Sequence, residues 1–133
     1  MAHTETIFSK IIKGEIPCYK IAEDDKHLAF LDIMPVTKGH VLVIPKEPID
    51  YYFDLSESQM NSLHAFAKKI ALAVKKVIPC KKVGLSIVGL EVPHVHIHLI
   101  PMNAVSDMNF SNPRPQFTKE EFEEVANLIR SNI

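Results

Sequence analysis

The segment HVHIHLIP, residues 94–101, alternates histidine with apolar residues and constrains the fold more than any other stretch of the chain. Side chains on a β-strand alternate between two faces, with a rise of about 3.3 Å per residue. The segment is therefore predicted to be a strand whose apolar face packs into the core. The histidine face lies opposite, open to water or lining a cleft. The histidines are His94, His96 and His98, and the apolar residues are Val95, Ile97 and Leu99.

Four further segments are predicted to be strands, so the fold class is α+β with an antiparallel sheet and the helices outside it. Short turns between strands that are neighbours in sequence favour this pairing. The last of the four is expected to reach the histidine segment through a tight turn near residues 89–93. The four segments are YKIAED, HLAFLDI, HVLVIP and KVGLSIVGL.

Helices are predicted where apolar residues repeat every three or four positions. The longest covers residues 56–77, and Ser56 with Gln59 matches a capping box. A short helix is predicted in TIFSKII, and a last helix begins at about Thr118. The stretch NAVSDMNFSNPRPQF, which precedes this last helix, is rich in Pro, Asn and Ser and is expected to wrap the surface.

Length and composition exclude several classes of protein. The chain has 133 residues, of which 47% are hydrophobic and 23% charged, which fits one globular domain. A net charge of −1 argues against binding to nucleic acid or to an anionic membrane, because such binding requires excess Lys and Arg. Cys18 and Cys80 match no metal or redox motif. No signal peptide or membrane span is predicted, so a cytoplasmic location is expected.

From the residues alone, the histidine row has three interpretations. It is a solvated polar face, or a zinc or copper site, or a nucleophilic catalytic site. Adjacent histidines, about 6.6 Å apart along a strand, can share a metal ion, with His40 from another strand as a further ligand. In catalysis, a neutral imidazole attacks phosphorus and forms a phosphohistidine. His96 is the candidate nucleophile, because its neighbours can orient one ring nitrogen while the other attacks.

The segment HVHIHLI matches the pattern His-φ-His-φ-His-φ-φ, where φ is apolar, and resembles the histidine triad (HIT) superfamily. The upstream stretch TIFSKIIKGEIPCYKIAEDDKHLAFLDIMPVTKGHVLVIPK also resembles the histidine triad nucleotide-binding proteins. The resemblance runs from about Thr6 to Pro101. It implies a five-stranded antiparallel sheet and a homodimer. Residues 1–133 are then one HIT domain, with about 102–133 diverging from the family.

The resemblance also implies an activity and site residues. Members transfer a nucleotidyl group to water through a nucleotidyl-histidine, and no cofactor or metal is expected. His96 would be the nucleophile, His98 would contact the α-phosphate and His94 would orient His96. His40 would complete a hydrogen-bonded relay, and Asp32 would bind the ribose hydroxyls. The apolar pocket around the base would be Ile7, Phe8, Ile11, Phe30 and Ile33.

Each of these assignments has a simpler alternative. The apolar residues would be core residues in any protein of this shape. Asp32 alone would be a loop cap, and His40 alone would be a surface or satisfied core residue. Three other histidines, His3, His27 and His64, match no family position and are predicted to lie at the surface.

The chain departs from the family just before the triad. Leu90 stands where an amide is expected, Glu91 where a small hydroxyl residue is common, and Ser86 near the usual Asn. A carboxylate at Glu91 would repel a phosphate unless it points away or binds a cationic leaving group. The expected activity is hydrolysis of a purine nucleoside 5′-monophosphate ester or phosphoramidate, or of a dinucleoside polyphosphate. The alternatives are a nucleotide-binding scaffold with little turnover and a zinc-binding protein.

Overall fold

The computed structural model describes residues 5–133, so the predicted surface position of His3 lies outside it. Its core is a five-stranded antiparallel sheet with strand order β1-β2-β3-β5-β4. β5 therefore lies inside the sheet, and β1 and β4 form its edges. The strands are β1 (Lys20–Glu23), β2 (His27–Leu31), β3 (Val41–Pro45), β4 (Lys82–Ser86) and β5 (Ile97–Met102).

Three α-helices surround the sheet, which confirms the predicted α+β class. Each helix begins with a capping box, in which the N-cap hydroxyl and the third helical residue bond each other's backbone amides. None of the helices in residues 5–133 has both the length and the apolar character needed to cross a membrane. The helices are α1 (Ile7–Ile12), α2 (Glu57–Val77) and α3 (Lys119–Arg130).

Period-two alternation divides the apolar residues between the two faces of the sheet. One face packs against α2 and α3 and holds the main core. Val95, Ile97 and Leu99 belong to this core, as predicted. The other face holds a smaller cluster with Phe8 of α1 and Phe30 of β2, and it carries the histidines.

The predicted strand over residues 94–101 is correct only in its second half. β5 begins at Ile97, so His94 and His96 lie in the irregular segment before it. The amide of Val95 donates to the Ile49 carbonyl, outside the sheet, and the Pro45 carbonyl at the end of β3 is bound by the His94 ring. Residues 94–96 are therefore not paired with a neighbouring strand as β5 is.

Two further predictions need correction. The tight turn near residues 89–93 is a longer loop, because β4 ends at Ser86 and β5 starts only at Ile97. His27 is buried, with 5% of its surface exposed, since its Nδ1 contacts the Asp24 carboxylate at 3.0 Å and its ring stacks on Phe66. His64 is half-buried and hydrogen-bonded to a tyrosine hydroxyl.

Candidate active site

A cleft of about 650 Å³ opens on the histidine face of the sheet, next to α1. Ligand sites for small molecules have volumes of roughly 300–1,000 Å³, so the cleft is large enough for a ligand of nucleotide size. His40 and His94 do not line the cleft and lie behind it, both about 1% exposed. The other predicted site residues all line it: Ile7, Phe8, Ile11, Phe30, Asp32, Ile33, Glu91, His96 and His98.

His96 is held with one ring nitrogen bonded and the other left for chemistry. Its Nδ1 donates to the His94 carbonyl oxygen at 2.7 Å, which keeps the proton on Nδ1 in the neutral ring. Nε2 then carries the lone pair. Burial lowers the pKa of His96, although this hydrogen bond and the charges of Asp32 and Glu91 raise it. The ring is therefore neutral at pH 7 and able to act as a nucleophile.

His98 and His40 form a relay whose direction follows from the backbone. The amide of Val36 donates to Nδ1 of His40 at 3.0 Å, so Nδ1 carries no proton. The neutral His40 ring therefore has its proton on Nε2, which lies 2.9 Å from Nδ1 of His98 and donates to it. His98 in turn carries its proton on Nε2. This N–H is a donor for an anionic oxygen in the cleft.

Burial lowers the pKa of both His40 and His98 to about 3. Both rings are therefore neutral at pH 7, as the relay requires. The positive charge of Arg114 contributes to both shifts after burial.

His94 binds the segment that carries His96 to the end of β3. Its Nε2 donates to the Pro45 carbonyl at 2.7 Å, and burial lowers its pKa. Its carbonyl oxygen accepts the hydrogen bond from Nδ1–H of His96, which is the geometry that the predicted orienting role requires. Its own Nδ1 is buried and has no partner within residues 5–133.

Asp32 follows β2, where it makes a loop-capping contact and also lines the cleft. One carboxylate oxygen accepts from the Met34 amide at 2.8 Å, which is the loop-capping contact. The other lies 3.6 Å from Nε2 of His40, and the side chain lines the cleft. A carboxylate in this position can accept hydrogen bonds from ligand hydroxyls.

The apolar residues of the cleft divide into core and rim. Phe8 and Phe30 are 5% and 3% exposed and pack edge to face, so their burial fits the simpler core interpretation as well. Ile7 and Ile33 are 45% and 61% exposed, which a core role does not explain. Large exposed apolar side chains around a cleft are typical of ligand sites. Leu90, 88% exposed, extends this rim.

Two residues of the cleft were missed by the sequence interpretation. Phe110 and Arg114 come from the loop before α3, which was expected only to wrap the surface. The Phe110 ring packs on His98 with centroids 4.8 Å apart. Arg114 donates to the Phe110 carbonyl at 2.8 Å and to the Met34 carbonyl. An isolated Phe and Arg in a polar loop show no periodicity that could have indicated this position.

A potential metal-binding group also exists. Ligand atoms of Asp32, His40 and His98 lie within 4.8 Å of one another. It differs from the group expected from spacing, because it takes one histidine of the row rather than two. The facing nitrogens of His40 and His98 already bond each other, so an ion would have to replace that hydrogen bond.

The HIT domain family model matches residues 13–105. A protein of Schizosaccharomyces pombe named adenosine 5′-monophosphoramidase is 38% identical over 130 residues, covering 96% of this chain and 97% of its own. A Hit-like protein from Bartonella henselae superposes with a TM-score of 0.85, at 32% identity over the full length of both chains. A zinc-bound histidine triad family protein from Mycobacterium smegmatis gives 0.81 at 28% identity, over 95% of this chain and 91% of that one.

Proposed function

The chain belongs to the HIT domain family, and we propose that it hydrolyses purine nucleoside 5′-monophosphate esters or phosphoramidates through a nucleotidyl-histidine. The observation that carries the proposal is the state of His96. The ring is neutral, its Nδ1 is fixed on the His94 carbonyl and Nε2 is left to react. The three histidines of the row are 1–8% exposed, which does not fit a solvated polar face.

The proposed reaction has two displacement steps. The lone pair of His96 Nε2 attacks phosphorus, the bond from phosphorus to the leaving group breaks, and the leaving group takes a proton from solvent. The Nε2–H of His98 donates to a phosphoryl oxygen as charge grows there. Water then attacks phosphorus, gives its proton to solvent and displaces His96, which returns to the neutral state as the nucleoside monophosphate leaves.

Adenosine phosphoramidate is the substrate to test first, since a relative with 38% identity carries the name of an adenosine 5′-monophosphoramidase. His96→Ala is expected to lower kcat by about 10³-fold or more, because no other side chain replaces the nucleophile. An acid quench of the wild type should trap a nucleotidyl-protein adduct that the variant lacks. Thermal unfolding of both proteins checks that the variant is folded. Wild-type turnover by a folded His96→Ala protein would refute the mechanism.

A nucleotide-binding scaffold with little turnover is the alternative suggested by Leu90 and Glu91. Both line the cleft at positions where the family resemblance predicts phosphate-holding residues. Calorimetry with AMP, run beside the turnover assay, separates the two functions. Tight binding without adduct or product would favour the scaffold.

Zinc binding is a second alternative, favoured by the grouping of Asp32, His40 and His98. Metal analysis of protein purified without a histidine tag tests it. One equivalent of zinc retained against a mild chelator would support this function over hydrolysis by a neutral relay.

We also propose that the protein is a homodimer and that it is cytoplasmic. Strand β4 is an edge strand, and Leu85 on it and Val88 beyond it expose apolar side chains, 47% and 48% respectively. Sedimentation equilibrium tests the dimer. Cys18 and Cys80 are both free thiols, which suits a reducing compartment, and imaging of the tagged protein in its own cells tests the location.

A further inference from the structure

The charge of the cleft poses a problem for any phosphate-bearing ligand. Asp32 and Glu91 both line the cleft and bring two carboxylates to it. The histidines that line it, His96 and His98, are neutral there, because burial lowers the pKa of each. Two carboxylates in the same cleft would repel a nucleotide phosphate unless a cation offsets their charge.

Arg114 is the one Lys or Arg among the described residues that line the cleft. A guanidinium remains charged at every pH that proteins tolerate, and it binds phosphate oxygens through paired N–H groups. The other arginine of the chain, Arg130, lies outside the cleft and bonds the Lys20 carbonyl. Within residues 5–133, the cleft thus has a single fixed positive charge.

The position of Arg114 depends on two backbone carbonyls and one ring. Its guanidinium donates to the carbonyls of Met34 and Phe110, and its Cζ lies 6.0 Å from the Phe110 ring centroid. The Phe110 ring in turn packs on His98. These two bonds use two of the five N–H groups of an arginine, which leaves three for a ligand.

We propose that Arg114 is the phosphate-binding cation of this cleft and makes it select phosphorylated nucleosides over free nucleosides. The proposal rests on the proposed function, because it assumes that a nucleotide occupies the cleft. It gives the loop before α3 a direct part in substrate recognition.

The field of Arg114 already reaches the relay. Its positive charge is one of the causes, behind burial, that lower the pKa of His40 and of His98. A phosphate that contacts the Nε2–H of His98 would therefore lie within the same field.

The test compares AMP with adenosine, which differ only in the phosphate. Affinities are measured by calorimetry for the wild type, Arg114→Gln and Arg114→Lys, with Arg130→Gln as the matched control. In Arg114→Gln, the affinity for AMP should fall roughly tenfold or more, the usual effect of losing a charge-assisted hydrogen bond. Its affinity for adenosine should change less than about threefold. Arg114→Lys should recover part of the preference, and Arg130→Gln should match the wild type.

The inference is overturned if Arg114→Gln loses affinity for AMP and for adenosine equally, which is what a purely structural role predicts. An unchanged preference for AMP overturns it too. In either case, His96→Ala can still abolish turnover, so the proposed function survives. A wild-type protein that binds neither AMP nor adenosine refutes the proposed function and the inference together.

Discussion

Nε2 of His40 lies 2.9 Å from Nδ1 of His98, and the amide of Val36 at the other side of the His40 ring sets the direction of this bond. A backbone N–H can only donate, so the proton positions of both rings follow from it. The result is an N–H on His98 that is available to the cleft. A backbone amide thus determines which nitrogen of a cleft-lining histidine can donate.

Replacing His40 should therefore impair catalysis through His98. In His40→Ala, the proton of His98 is free to move to Nδ1, so kcat for adenosine phosphoramidate should fall roughly 10²-fold with little change in KM. The Val36 amide also loses its buried acceptor, which should lower the free energy of unfolding by about 1–3 kcal/mol in urea titrations. His64→Gln, outside the cleft, is the control. A folded His40→Ala protein with full kcat would show that the relay has no catalytic role.

Glu91 should set the acid limit of activity together with His96. In the proposed mechanism His96 attacks in its neutral form. Burial lowers the pKa of His96 below the ordinary value, while the charge of Glu91 raises it. In Glu91→Gln, the acid limb of the profile of kcat/KM against pH should move to lower pH. Profiles from pH 4 to 8 measure this shift. An unmoved midpoint would mean that Glu91 does not act on the nucleophile.

Acid should destabilise the fold, because burial lowers the pKa of His40 and His98, and also that of His94 and His96. The pKa of His40 and of His98 is about 3 in the fold against about 6.5 when unfolded. The unfolded chain therefore binds more protons, and stability falls as pH drops from about 6.5 toward 3. Each ring contributes a slope of up to about 1.4 kcal/mol per pH unit. Urea titrations at pH 7.5, 6 and 5 should show this slope.

The control for this window is His98→Asn, which removes one of the two rings. Its slope between pH 6.5 and 5 should be shallower than that of the wild type. Carboxylates with lowered pKa, such as Glu23 and Asp24, lose their charge only at more acidic pH and do not interfere. Equal slopes in both proteins would place the acid sensitivity elsewhere.

Gly39 precedes His40 in the turn before β3, and position 39 should not tolerate a side chain. Its φ is +88°, and a Cβ would lie 2.8 Å from Cγ1 of Ile78. Gly14, with φ +80° and nothing within 4 Å of a Cβ, separates the two effects. Gly14→Ala should cost about 1–2 kcal/mol of stability through the backbone alone. Gly39→Ala should cost more, and equal costs in thermal unfolding would rule out the steric part.

Most of the fold could be predicted because its signals are local. The apolar stripe and Ser56 cap of α2, and the alternation around Ile97, depend only on neighbours in sequence. The start of β5 could not be predicted, since it depends on Ile49 and Pro45 carbonyls about fifty residues away. The burial of His27 depends likewise on Phe66, and the position of Arg114 on Met34, 80 residues upstream.

The walls of the cleft come from both ends of the sequence, from Ile7 in α1 to Arg114 before α3. During synthesis from the N-terminus, the histidines at residues 94–98 leave the ribosome before the loop that carries Arg114. A chain still in translation can therefore hold these histidines without the complete cleft around them. The last strand of the sheet ends at Met102, so binding of the proposed nucleotide would require a longer chain than formation of the sheet does.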